Sequence, residues 1–397
     1  MSPGPSNTGP SNTEPSKQEQ GHPELGPPEL GHAADLLYDE VEDDLRANVR
    51  RLLRDRCDWT AVLARSESDE PYDLPLWRSL AGELGVAGLA VPEEFGGAGA
   101  SSRELAVAAE ELGAAVAPVP FLATVLTTTA LVECAGSSQA AEVLPGLVDG
   151  SRVAALAVGL STEPGSAFPD RVRARDSALT GEIRAVTDLE VADLAVVPAL
   201  DEDGPALYLV RSPAGTPRTP LDLTRRIGTL ELSGTTAERI ASGEVAERAL
   251  RRALLTGAGV LASEQVGLAQ TCLDSTVEYA LTRQQFGRAI GSFQAVKHRL
   301  ADLWSGVSTG RAVARKAADG LARSEETELS VALAQSYCSD LVVLAAEDHL
   351  QLHGGIGMTW EHPAHLYLGR AKSSQLAFGI AERHRDRIAE LAELPHP

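Results

Sequence analysis

Two short segments hold the residue types best suited to chemistry: Arg283-Gln284-Gln285-Phe286-Gly287 with Phe293-Gln294, and Gln351-Leu352-His353-Gly354-Gly355-Ile356-Gly357. Arginine offers a planar fork of donors that matches a phosphate, and glutamine offers both an amide donor and an acceptor. Glycine lets backbone N–H groups approach an anion with no Cβ in between. Set at helix boundaries, such residues can clasp the phosphates of a dinucleotide.

The elements that must position them follow from periodicity. Residues 1–32 are rich in Pro, Gly, Ser and Glu and poor in large apolar side chains, so a disordered tail is expected there. Residues 33–150 read as an N-terminal helical domain. Leu45, Val49 and Leu52 recur at helical steps, and Ser101 or Ser102 is placed to cap a helix over Arg103–Leu112 with Glu104 in its first turn. Residues 151–245 change to short β-favouring runs (153–158, 171–174, 183–186, 194–197, 206–210 and 227–232), the spacing of a small β-barrel or sandwich. From 246 to 394 helical stripes return: Val266-Ala269-Leu273-Val277-Leu281, Val296-Leu300-Leu303-Val307, and Ala334-Cys338-Leu341-Ala345, with a last helix expected over 363–391. Four long amphipathic helices make a bundle. The fold class is therefore α+β and multidomain: all-α, then small β, then a four-helix bundle.

Composition narrows the function. A formal charge of −21 and a pI near 4.9 argue against nucleic acid or an anionic membrane surface as partner. No metal-ligand spacing joins Cys57, Cys134, Cys272 and Cys338, which read as reduced structural cysteines of a cytoplasmic protein. No apolar run reaches the length of a membrane span, and no secretion signal is recognisable.

The three-part order, together with the motifs, resembles the acyl-CoA dehydrogenase family. Val91-Pro92-Glu93-Glu94-Phe95-Gly96-Gly97, then Glu104 and Glu110-Glu111-Leu112-Gly113, looks like its N-terminal signature. Thr162-Glu163-Pro164-Gly165 looks like the β-domain turn that lies along a flavin, and Ala185-Val186-Thr187 falls where the family has Trp-Ile-Thr. The resemblance implies FAD as cofactor. Thr162 and Thr187 would lie near the flavin, and Arg283, Gln285, Phe286, Gln294, Gln351, Gly354 and Gly355 would hold the ADP half, reaching it across a subunit interface. It also implies an acyl thioester of CoA or a carrier protein as substrate, and a homo-oligomer or hetero-oligomer. The Leu352–Met358 loop followed by His365-Leu366-Tyr367 is similar to actinobacterial members that form one half of a mixed-subunit enzyme for bulky or sterol-derived acyl groups.

The family reaction removes a proton alpha to the thioester carbonyl and passes a beta hydride to the flavin. Its base is a glutamate after the glycine loop or one on the first bundle helix. Counted along this chain, those positions hold Phe378 and Gly257, so the catalytic residue is unassigned. The other acids have plainer readings: Glu264 as a helix cap or dipole partner, Glu361 as a loop brace, Glu163 as structural. His353 reads as packing or a ribose contact, and His298 as part of a solvated face. Ala185 in place of the stacking tryptophan, and Ser166-Ala167-Phe168-Pro169 after the flavin turn, depart from the pattern and suggest a degraded isoalloxazine pocket beside an intact ADP grip. The leading expectation is an FAD-dependent dehydrogenase subunit desaturating an acyl thioester beside a sister chain that contributes the glutamate. The alternatives are a flavin monooxygenase or non-redox thioester enzyme on the same scaffold, and a non-catalytic assembly subunit.

Overall fold

The N-terminal helices start where short polar side chains can cap them. In the computed structural model, which describes residues 1–4 and 36–394, α1 (Glu40–Arg56) opens on a reciprocal capping box between Asp39 and Glu42. The expected tail lies outside the described residues except for its first four. Helices α2 (Trp59–Ser66) and α3 (Leu74–Gly82) follow, capped by Asp58 and Asp73. Ser101 caps α4 (Ser102–Ala114), with Glu104 returning the bond as the sequence suggests. The apolar α5 (Phe121–Glu133) and α6 (Ser138–Val148) complete this part.

One eight-stranded mixed sheet forms the middle: β1 (Ala154–Leu156), β2 (Val172–Arg175), β3 (Ala178–Thr187), β4 (Leu194–Asp201), β5 (Gly204–Arg211), β6 (Gly215–Arg218), β7 (Ile227–Thr236) and β8 (Glu238–Ser242). The main path is β6-β7-β3-β2-β4-β5-β8, with β1 pairing parallel to β4. Successive side chains point to opposite faces, and along β4 and β5 both faces are buried. Ala195 and Val197 join a core private to the sheet, while Leu194 and Val196 pack with α5, α6 and the bundle. Strands β6 and β8 escaped the sequence reading because they are polar, largely exposed edges.

The bundle is built from α7 (Glu244–Thr282), α8 (Gln294–Arg323), α9 (Thr327–His353), α10 (Ala364–Leu376) and α11 (Ala381–Leu391). A two-stranded hairpin, β9 (Gln284–Gln285) and β10 (Arg288–Ala289), joins α7 to α8. The single helix expected over 363–391 is two. Between them Phe378 and Gly379 both take positive φ, 56° and 99°, and break the helical ladder. Periodicity missed this because α10 and α11 each bury a face on α9, so the apolar pattern continues across the break. Helices α4 and α7 cross closely through glycines. A Cβ on Gly113 would strike the Glu264 carbonyl, and one on Gly267 the Glu110 carbonyl. Among the described residues one helical run, α9 continued through the tight turn to Met358, is long and apolar enough to cross a membrane, yet 72% of its apolar window is buried inside the fold.

Candidate functional site

The sequence-predicted residues fall into two groups. The first is at one end of the bundle. Arg283 ends α7, its N–H donating to the Tyr279 carbonyl at 2.8 Å, and the chain turns at once into the β9–β10 hairpin. Phe286 (φ 53°) and Gly287 (φ 76°) form its two-residue corner, which needs left-handed backbone at both positions. Arg283, Gln285, Phe286 and Gln294 are all exposed, Phe286 at 91%. Gln294 is the first residue of α8, and no side chain caps that helix, so its leading N–H groups remain available to an anion. Gln351 and Gly354–Gly355 end α9. The Gly354 backbone is left-handed, and a Cβ on either glycine would meet nothing within 4 Å, so the bend faces open space. The Tyr279 and His353 rings stack with centroids 4.4 Å apart, which brings the ends of α7 and α9 to one place. The structure thus unites the two motifs that the sequence keeps far apart.

The second group lies where the sheet meets the bundle. Thr187 ends β3; its Oγ1 is buried and has no hydrogen-bond partner, an orphan that a bound polar group would satisfy. Thr162 begins the Glu163-Pro164-Gly165 turn, which is tied to β3 by the Leu160 N–H donating to the Ala185 carbonyl (2.9 Å). The Leu160 carbonyl in turn accepts from the Phe378 N–H at 2.8 Å. Here the two positions singled out for a base converge. A Cβ on Gly257 would sit 2.9 Å from Phe378 Cζ and 2.5 Å from Leu126 Cδ2. The buried Phe378 ring fills the space that either side chain would reach. A cavity of about 480 Å³ is walled by Glu163, Pro164, Leu250, Leu254, Val331 and His384 among others; Phe378 and Gly257 are not in its wall.

The two groups are far apart within one chain. From Gly257 to Thr282 the helix runs 25 residues, about 38 Å at 1.5 Å per residue.

Glu264 needs correction. It is not near a helix start but midway along α7, because the buried glycines 257, 259 and 267 are held helical by close packing instead of ending the helix. It is buried, accepting from Arg225 Nη2 (2.5 Å) and Arg370 Nη1 (3.2 Å). Arg370 Nε lies 2.6 Å from Asp222 Oδ2, and Arg370 Nη2 donates to the Thr224 carbonyl at 2.9 Å. Burial would push the Glu264 carboxyl up, but the two guanidiniums outweigh it and hold it below the usual carboxylate range. Nearby Asp188, accepting from Tyr72 Oη at 3.0 Å, is raised by burial to about 6 against the pull of Arg225. The cluster ties together α3's approach, the β6–β7 loop, α7 and α10; it is an internal brace.

Sequence reading missed Arg225, Asp222, Asp188 and Arg370. For Arg370 a signal existed: with Leu366, Tyr367, Ala371 and Ser374 it falls on the buried face of α10 at helical steps. His384 was also missed. It is buried on α11 against the Phe378–Gly379 break, and its Nε2 has no partner. His353 is buried packing, with Nδ1 donating to the His349 carbonyl at 2.7 Å, and His298 is exposed as expected. Glu163 pairs with Arg383 at 3.8 Å and lies against Gly379. All four cysteines are free and buried, and burial pushes the thiols of Cys57, Cys134 and Cys338 up to about 12.

A helical domain, a mixed sheet and a helical bundle, with the two residue groups at the sheet–bundle junction and the bundle end, match the architecture that the resemblance implies. The comparisons make this specific: residues 39–151 match the acyl-CoA dehydrogenase N-terminal domain and residues 247–392 the acyl-CoA dehydrogenase C-terminal domain, and the chain belongs to the acyl-CoA dehydrogenase family. It is 35% identical over 349 residues to the acyl-CoA dehydrogenase IpdE2 of Mycolicibacterium smegmatis, covering 88% of this chain and 98% of that one. It is 37% identical over 352 residues to IpdE2 of Mycobacterium tuberculosis, covering 88% and 97%. Among solved structures, the ChsE4-ChsE5 complex from Mycobacterium tuberculosis matches with TM-score 0.80 at 30% identity, covering 91% of this chain and 100% of that one. A Tcur3481-Tcur3483 steroid enzyme of the family matches equally, with TM-score 0.80 at 30% identity over 89% and 98%.

Proposed function

We propose that this chain is an FAD-dependent acyl-CoA dehydrogenase-type subunit that desaturates an acyl thioester together with a sister chain, and that the sister supplies the base. The observation that carries the reading is the meeting of Gly257 and Phe378. Counted from the resemblance, the two positions for the family's glutamate are Gly257 and Phe378, and the closeness of Gly257 to the buried Phe378 ring supports the reading that neither supplies a base here. FAD, when bound, accepts the beta hydride. Arg283, Gln285 and Gln294 would hold phosphate and ribose oxygens of its ADP half, with Phe286 as an apolar cover and Gln351 and the Gly354–Gly355 bend closing over it. Thr187 Oγ1, lacking a partner of its own, and Thr162 would face the flavin end of a second site.

Assembly with a second chain is supported by two features. The two groups of site residues lie at different levels of α7, which supports a reading in which each pairs with the other group on a neighbour. Large apolar side chains (Phe286, Ile356, Met358 and Trp360) stand exposed around the bundle-end motifs, as expected of a surface that another subunit covers. ChsE4-ChsE5 and Tcur3481-Tcur3483 are two-component assemblies by name, and the latter is a steroid enzyme. We extend both properties to this chain: a hetero-oligomer acting in the cytoplasm on a bulky acyl group carried by CoA or a carrier protein.

The test is to purify the chain alone and co-expressed with a sister chain that has a glutamate at either vacant position, then assay desaturation with an artificial electron acceptor. Activity only in the pair, abolished when the sister's glutamate becomes glutamine, supports the reading. Full turnover by the lone chain refutes it.

A further inference from the structure

The end of α9 holds three imidazoles that the proposed reaction does not use. His349 and His353 are four residues apart, so they share one face of the helix, and His362 reaches them from the turn before α10. One ring nitrogen from each lies within 4.8 Å of the others. Ring centroids are 4.4 Å apart for 349–353, 4.3 Å for 353–362 and 5.2 Å for 349–362.

The hydrogen bonds around the rings fix which nitrogens carry lone pairs. His353 Nδ1 lies 2.7 Å from the His349 carbonyl, which can only accept, so Nδ1 bears the proton and Nε2 is bare. Thr276 donates its hydroxyl proton to the Cys272 carbonyl at 2.5 Å. The 3.0 Å contact between Thr276 Oγ1 and His349 Nδ1 is therefore a donation from the ring, and His349 Nε2 is bare as well. That Nε2 is buried and has no partner, on a side chain with no exposed surface. A ligand nitrogen whose opposite ring N–H is anchored to a carbonyl or hydroxyl is the arrangement that orients metal-binding histidines. His362 is half-buried; its Nδ1 accepts a long 3.3 Å bond from the Ala364 N–H, which leaves the proton on Nε2, so an ion would displace either that proton or the weak Ala364 contact.

We propose that His349, His353 and His362 form a binding site for a divalent ion of the zinc class. Three neutral imidazoles suit zinc and leave a fourth position for water or an anion on the half-exposed His362 side. With bonds of about 2.0–2.1 Å, three such nitrogens stand roughly 3.4 Å apart. The set, whose nitrogens lie up to 4.8 Å apart, must contract by as much as about 1.4 Å, and the non-helical turn bearing His362 is the part free to move. An ion there would tie the end of α9 to the turn before α10, with the Gly354–Gly355 bend between them. The site stands independently of the flavin reading.

The experiment uses the untagged full-length chain, stripped of metal with a chelator, and titrates zinc against a chromophoric competitor; cobalt gives the ligand-field spectrum. One high-affinity zinc per chain is expected. Exposed His298→Ala leaves it unchanged. His362→Gln weakens zinc binding by about 100-fold or more, and Thr276→Val, which removes an outer partner, by about 10-fold. His349→Ala is checked by circular dichroism; should it misfold, the partly exposed His362→Gln decides. Absence of stoichiometric binding, or His362→Gln binding zinc within about threefold of the wild type, overturns the proposal and leaves a stacked imidazole cluster.

Discussion

Replacing Glu264 by alanine should destabilise this protein far more than an average substitution. The carboxylate is buried and bonded to both Arg225 and Arg370, so its removal leaves two buried guanidiniums facing Asp222 and an Asp188 that burial has already raised to about 6. Breaking a buried pair by deleting one partner costs about 3–5 kcal/mol, because the remaining charge keeps its desolvation penalty. Glu264→Gln keeps the shape and one acceptor and should fall toward the lower part of that range. The measurement is thermal unfolding followed by circular dichroism, with the sheet and helix signals recorded together. Since the cluster spans sheet and bundle, both signals should shift together. A loss below about 1 kcal/mol for Glu264→Ala, the range of an exposed ion pair, would refute the reasoning. So would a variant that keeps its stability and loses only turnover, which would make Glu264 the base.

Two further perturbations follow. Asp188 has a folded pKa of about 6 against 3.8 for the model carboxyl, so the folded state binds the proton more tightly. Its contribution is neutral below about 4, becomes unfavourable as pH rises to 6, and reaches about 3 kcal/mol at neutral pH. Asp188→Asn should therefore unfold at a higher temperature than wild type at pH 7 and show no advantage at pH 4; a pH-independent difference would refute the assignment. Gly257→Ala would press on Phe378 and Leu126 and should cost about 1–3 kcal/mol. A smaller ring-site residue, Phe378→Leu, should recover part of that loss, and strict additivity of the two would show that the positions do not meet.

Much of this was legible in the sequence, for reasons that differ by element. The Ser101–Glu104 box and the α-β-α order read directly because caps and periodicity are local. The Gly354 bend was recognisable because positive φ favours glycine, whereas the hairpin corner was not, since Phe286 is a residue that positive φ disfavours. The break at Phe378–Gly379 was hidden, since both flanking helices bury a continuous apolar face on α9. Buried charges were hidden for a different reason. Arg225 and Glu264 are 39 residues apart and meet only when the sheet docks on the bundle. The histidine cluster likewise needs the tertiary turn that carries His362 back onto α9.

The central claim is that the bundle-end motifs hold the ADP half of a flavin at a subunit interface. Arg283→Ala is the direct test, because this exposed side chain can be removed with less than about 0.5 kcal/mol of change in folding stability. Flavin absorbance per chain should be measured on the co-purified complex after extensive dialysis. Retention falling at least about tenfold while the two chains remain associated is the predicted result, in line with loss of a charge-assisted phosphate contact. Full flavin occupancy in the intact complex would contradict the account.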